Sequence, residues 1–301
     1  MREGFALVKK KKKINFEREI TFALFVIPVF LLYTMYFILP LVIGAYYSFT
    51  DWSGTSPQAN FVGFSNYIEL ATDRVFRQAL WFNIWYAVVL VIITIILSTV
   101  LAICLNAKIK LKTFFRGALF YPAVLSMLTV GKVFGEIYTR AIPTVARILD
   151  IEFFQISVLS RVETAPFGLM FVHVWQGLAI PTVLLLAGLQ TIPEEINESA
   201  ALDGANAWHR FWRITVPYLI PTINVVLVLT LRSGLIMFDY VMAMTEGGPA
   251  GATRSLSYNI YSLSFRELRF GYANAQAMVV SAILMVVSYI QILSLRKRRA
   301  H

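Results

Sequence analysis

Apolar residues gather in six long blocks along the chain, at 20–49, 79–105, 117–138, 166–190, 214–238 and 272–295. Each reaches the roughly 20 residues that a helix needs to cross a hydrocarbon core. Four of the blocks contain no Asp, Glu, Lys or Arg; the third holds Lys132 and Glu136, and the fifth holds Arg232. The pattern predicts an all-α polytopic membrane protein of six transmembrane helices. The first block is too long for a cleaved signal core and leaves through Tyr46, Tyr47 and Phe49, so it is expected to stay as a span, kinked at Pro28 and Pro40.

Composition agrees with that pattern. Of 301 residues 58% are hydrophobic and 15% charged, where a soluble domain carries about a quarter charged. A disordered chain, a fibrous chain and most soluble enzymes are excluded. The lone Cys104 excludes an internal disulfide framework, and three scattered histidines (His173, His209, His301) argue against a metal site. The net charge of +10 sits mainly beside the spans, above all at Lys9–Lys13 and Arg296–Arg299. That distribution points to topology and anionic lipid rather than nucleic acid. With the amino terminus in the cytoplasm, the inner segments carry 17 Lys and Arg and the outer ones 8, which the positive-inside rule favours. Both termini are then cytoplasmic. The expected organisation is a basic tail at 1–19, a membrane domain at 20–295 and a second basic tail at 296–301. External connections fall at 50–78, 139–165 and 239–271.

The connection 191–213 differs from the others. Pro193 suits a first helical turn, Glu194 and Glu195 sit near the positive end of that helix, and Ile196, Ala200 and Ala201 share a face. Gly204 ends the helix, because glycine takes the left-handed cap conformation cheaply. From the residues alone, an interfacial helix that merely anchors the loop fits, and a functional role for it stays open.

Inside the spans two polar stripes follow the i, i+3, i+4, i+7 spacing of one helix face. His173, Gln176, Gly177 and Ile180 form one; Thr230, Ser233, Gly234 and Met237 form the other. Polar residues in lipid usually face a bundle interior or a water-filled path, while close helix packing also favours small residues; both readings stand. Trp175, one residue off the first stripe, fits either an aromatic surface beside such a path or a lipid-interface anchor. Gly131 and Gly135 fit helix packing. Arg232 either meets an acidic partner or snorkels outward.

Glu198-Ser199-Ala200, three residues, Gly204, nine residues and Ile214-Thr215-Val216-Pro217 resemble the cytoplasmic signature of binding-protein-dependent ABC importer permeases. The family pattern has Ala and Leu where this chain has Ser199 and Val216; the spacing is intact. The stretch around Asp203 is similar to the sugar-importer version. Leu39-Pro40, the segments 47–52 and 61–67, and Thr245–Pro249 resemble maltose-type sugar permeases, and 139–165 departs most.

The resemblance implies a type I importer permease for a sugar or oligosaccharide, in a bacterial or archaeal cell membrane. It implies a second permease subunit, usually a different chain, two cytoplasmic ATPase subunits and an extracytoplasmic solute-binding protein. It gives the 193–204 helix the role of coupling to the ATPase, with Glu198 as polar anchor, Ala200 allowing close approach and Gly204 making the turn. It also tips the two stripes toward a substrate path. The chain has no Gly-x-x-x-x-Gly-Lys-Ser/Thr. ATP and Mg are therefore expected to be used by partners, and this chain is expected to hold no cofactor and to be no enzyme itself. A stand-alone carrier would need carboxylates for a coupling ion within the spans. A membrane transferase would need clustered acids on a cytoplasmic loop, where Asp203 stands alone.

Overall fold

The computed structural model describes residues 16–107, 110 and 112–299. The Lys9–Lys13 run and His301 lie outside the described residues. The helices in chain order are α1 (16–47), α2 (Ser65–Thr72), α3 (Arg74–Asn106), α4 (Lys112–Val124), α5 (127–148), α6 (Ala165–Gly177), α7 (Ala179–Leu189), α8 (Glu194–Leu202), α9 (207–235), α10 (Asp239–Met244), α11 (Leu256–Phe265) and α12 (Phe270–Arg299). Two short helical turns, Glu152–Gln155 and Val158–Ser160, lie between α5 and α6. Among the described residues no strand forms, and one β-bridge joins Thr50 to Phe61.

Four helices (α1, α3, α9 and α12) are long and apolar enough to cross a membrane, and the pairs α4–α5 and α6–α7 raise the number to six if each bent pair is one span. Those pairs make two of the six expected spans bent ones. The block 117–138 is two helices meeting at 95° rather than one. Ser126 takes extended backbone (ψ 130°) and ends the first helix after Pro122, so α5 starts anew at Met127. The block 166–190 bends by 49° at Leu178. Pro181 has no N–H to give Gly177, and its ring crowds that carbonyl four residues back.

Proline acts differently in three other places. π-turns occupy Thr34–Ile38, Ile137–Ala141 and Phe211–Thr215, each just before a proline: Pro40, Pro143 and Pro217. In each the residue before the proline bonds five residues back, as Leu39 N–H does to Thr34 O. The wider turn absorbs the missing donor, so α1 continues past Pro40 as one span; Pro28 lies within the same helix without such a turn.

The core forms around α3, 33 residues long and hence about 50 Å at 1.5 Å per residue. Helices α7 and α9 pack along it. Tyr86, Leu90, Leu169, Val172 and Val241 are buried in its middle, and Ala102, Leu185, Leu219 and Val226 toward the 191–213 end. The opposite end is a cap made by 48–72 and 245–271. There Gly271 N–H donates to Trp52 O at 2.8 Å, an approach that requires glycine, since a Cβ would lie 2.0 Å from Thr50 O. Arg269 Nη2 donates to both carboxylate oxygens of Glu69 at 2.7 Å. Across the cap, Tyr272 Oη donates to Asp73 at 2.6 Å. In the same cap the Asp51 carboxyl is held below its usual value by the Asn60 side chain and then by the Asn60 backbone N–H. From Leu24 to Ile43 helix α1 carries no charged residue and its large side chains are exposed; it meets the rest of the chain through Leu39–Tyr47 against α12.

Candidate functional site

The break between α4 and α5 creates the first part of the site. A continuous helix would give the Leu125 carbonyl to a backbone N–H four residues on. Here it accepts from Gln176 Nε2 at 2.8 Å. The other end of that amide, Gln176 Oε1, accepts from Tyr240 Oη at 2.8 Å. Next to it His173, 6% exposed, lies with Nε2 2.8 Å from Ser233 Oγ and Nδ1 3.3 Å from Tyr86 Oη. Its ring centroid is 4.8 Å from that of Tyr240. Side chains from α3, α6, α9 and α10 thus form a polar cluster inside otherwise apolar helices, and the buried members have partners, as buried polar groups require.

Two adjoining cavities open on this cluster. One, of about 290 Å³, is lined by Met127, His173, Arg232, Ser233, Met237, Asp239 and Tyr240 among others. The second, of about 210 Å³, is lined by Thr94, His173, Gly177, Ile180, Thr230 and Ser233 together with apolar neighbours. Of the eight residues in the two sequence stripes, His173, Gly177, Ile180, Thr230, Ser233 and Met237 therefore reach cavity walls. Gln176 does not; its amide bridges Leu125 and Tyr240. Gly234 does not either. Its Cβ would stand 2.8 Å from Ala87 Cα, so it is a packing glycine between α9 and α3. Trp175 lines a separate apolar groove with Phe167 and Phe171 and packs its ring against Phe134, and Gly131 packs against Ala243 of α10.

Sequence reasoning missed Tyr86, Tyr240 and Asn83. Fully buried Asn83 donates to the carbonyls of Gly234 (3.2 Å) and Leu235 (2.9 Å) and accepts from Leu256 N–H at 2.8 Å. An amide in an apolar span was the signal for it; the tyrosines carried none, since the spans are rich in aromatics.

The second region is α8 and its flanks. Pro193 is the residue before the first helical turn, with Glu194 and Glu195 opening it. Gly204 adopts φ +77°. Ala205 N–H bonds to Ala200 O at 2.9 Å and Gly204 N–H to Ala201 O at 3.1 Å, the paired bonds of a Schellman cap. Asn206 then caps α9 by accepting from His209 N–H at 2.8 Å. The inward face of α8 is Ile196, Asn197 and Ala200, all half-buried, rather than Ile196, Ala200 and Ala201; Ala201 is exposed. Asn197 lines a cavity of about 260 Å³ with Ile103, Leu189, Arg210 and Phe211. Outward stand Glu198, Ser199, Leu202 and Asp203, with Leu202 89% exposed. Among the described residues no three His, Cys, Asp or Glu side chains gather as a metal site would need.

A bundle of broken apolar helices around a polar cavity, with a glycine-capped helix at one end, is the architecture of a multi-pass membrane protein. The family model for the inner membrane component of binding-protein-dependent transport systems matches residues 117–299, and the chain belongs to that family. It is 42% identical, over 89% of its own length and 92% of the relative's, to the multiple sugar-binding transport system permease protein MsmF of Streptococcus mutans. It is 30% identical, over 96% and 98%, to AmyD of Thermoanaerobacterium thermosulfurigenes, a probable permease for starch degradation products. Among solved structures, the fold matches a bacterial ABC transporter involved in import of the acidic polysaccharide alginate, with a TM-score of 0.79 at 19% identity, covering 93% of this chain and 96% of that one. As a family member the chain is a component of an importer that works with a binding protein.

Proposed function

We propose that this chain forms half of the membrane path for a sugar or oligosaccharide, and that a second permease subunit supplies the other half. Two ATPase subunits using ATP and Mg drive it, and an extracytoplasmic binding protein delivers the sugar. The observation that carries this reading is the cavity itself: six stripe residues and Arg232 and Asp239 bring hydroxyl, imidazole and charged groups into an apolar bundle. Similarity to sugar permeases over nearly the whole chain supports the substrate class.

In this reading the 191–213 connection faces the cytoplasm, as do both termini, with 20–295 as the membrane domain between basic tails. The basic residues favour that orientation. Helix α8 docks into an ATPase subunit through its exposed side, with Glu198 and Asp203 as polar contacts. Ala200 faces inward, where its small side chain lets α8 lie close to its own bundle, and Gly204 fixes the direction of the turn. Because α8 joins α7 to α9, a displacement of α8 is passed to both walls of the cavity.

Replacing Gly177 tests the path. A Cβ there meets nothing nearer than His173 Cδ2 at 4.0 Å, and the position lies on the cavity wall, so the side chain of Gly177→Leu is expected to extend into the cavity. ATP-driven uptake of labelled sugar into vesicles holding the reconstituted complex is expected to fall at least tenfold while the subunits still co-purify. Wild-type uptake by Gly177→Leu would remove this cavity from the path.

A further inference from the structure

Resting on the sugar-path reading, we propose that Arg232 and Asp239 form a charge-balanced pair that selects neutral polyhydroxylated ligands and turns away anionic ones. Arg232 lies in the last turn of α9, and Asp239 opens α10 four residues after that helix ends at Leu235. They are the two charged residues in the wall of the 290 Å³ cavity, beside Ser233, His173 and Tyr240. Among the described residues neither makes an ion pair or a side-chain hydrogen bond, whereas Arg140, Arg266 and Arg269 each hold a carboxylate within 2.9 Å.

An arginine in a membrane-spanning helix is normally tied to a counter-charge or faces a water-filled path; Arg232 is exposed and Asp239 half-buried on the same cavity wall. Here the carboxylate shares the cavity without being locked to the guanidinium. Both charges keep their hydrogen-bonding capacity, and together they leave the wall neutral. The guanidinium offers only donors and the carboxylate only acceptors, while each sugar hydroxyl can do both. Neighbouring hydroxyls of one ring can therefore accept from Arg232 and donate to Asp239. Phe238 and Tyr240 supply apolar surface in the same wall. An isolated arginine would favour a carboxylated or phosphorylated sugar. Asp239 repels such a ligand, and this repulsion is what gives the selection its sign.

The test uses the purified complex with all its subunits and reads the cavity directly. In a Cys104→Ser background, Ser233→Cys is labelled with a maleimide in the presence of maltotriose or raffinose as neutral probes, or trigalacturonate as an anionic one. Gly177→Cys is labelled as a second reporter, so that the result does not rest on one substituted wall position. With Arg232 and Asp239 intact, a neutral probe is expected to slow labelling severalfold and trigalacturonate to leave it unchanged. Adding Asp239→Asn should make trigalacturonate protective, and Arg232→Gln should weaken neutral protection without that gain. Asp239→Glu should keep the exclusion. An unchanged protection profile in Asp239→Asn overturns the proposal. So does loss of subunit co-elution in that variant but not in Asp239→Glu, which would make the carboxylate a structural group. ATP-driven uptake by the wild-type complex is run beside this. If it takes up neither neutral probe, the sugar reading fails and this proposal with it. Uptake with an unaltered variant profile counts against the proposal alone.

Discussion

Asn83 joins three pieces of backbone that no helix satisfies by itself: the last carbonyls of α9 and the first N–H of α11. Each buried group left without a partner costs about 1–3 kcal/mol. Asn83→Ala is therefore expected to destabilise by about 3 kcal/mol and to loosen the cap from α9, read as a lower unfolding temperature in detergent. Gly234→Ala belongs with it, because its new Cβ meets Ala87 of α3 at 2.8–2.9 Å; overpacking of this kind costs about 1–3 kcal/mol. Gly177→Ala, with open space at that position, is expected to be near neutral, and a melting curve for each variant separates the three. These residues also mark the limit of reading single positions from sequence. Spacing placed Gly177 and Gly234 in equivalent stripes, yet it could not say that Ala87 stands across from one and a cavity from the other. Gln176 was legible as polar and inward, but its partner is a carbonyl released by a helix break elsewhere.

At the scale of elements, α8 was the most legible part of the chain. Its start, its end and its left-handed glycine all follow from local chemistry that needs no tertiary partner. Its inward face was one residue off, because Asn197 turns toward the bundle where an apolar count had favoured Ala201. A Cβ at Gly204 meets nothing within 4 Å, so substitution there acts through backbone conformation alone. Left-handed backbone costs an L-residue about 1–2 kcal/mol, and a β-branched residue more. Gly204→Ala is expected to retain most transport and Gly204→Val to lose it, with ATPase subunits released or hydrolysing ATP without import. Wild-type coupling in Gly204→Val would leave α8 a passive anchor. The bends at 125–126 and at Leu178 were harder to foresee. Proline is present near both, but it is also present near three π-turns that stay helical. What decides is whether the surrounding backbone can widen by a residue or finds another donor, as Leu125 does in Gln176.

For the whole molecule, hydropathy alone carried the architecture, since a lipid core permits few ways to satisfy backbone groups and helices are the one used here. The cap at 48–72 and 245–271 was not legible as a unit, because its ties are long-range: Arg269 to Glu69, Tyr272 to Asp73, Gly271 to Trp52. The central claim is that the nucleotide state of the partner ATPases and the exposure of the His173–Ser233 cavity are two ends of one equilibrium linked through α8. Linkage of this kind is worth typically about 1–3 kcal/mol between sites, enough to move a labelling rate severalfold. Its most direct test is the reaction of Ser233→Cys, in a Cys104→Ser background, with a membrane-impermeant maleimide applied to each side of sealed vesicles containing the full complex. The account predicts labelling from the α8 side without nucleotide and from the cap side when ATP is bound and hydrolysis is blocked, with Gly204→Val abolishing the switch. Labelling from one fixed side whatever the nucleotide would contradict it.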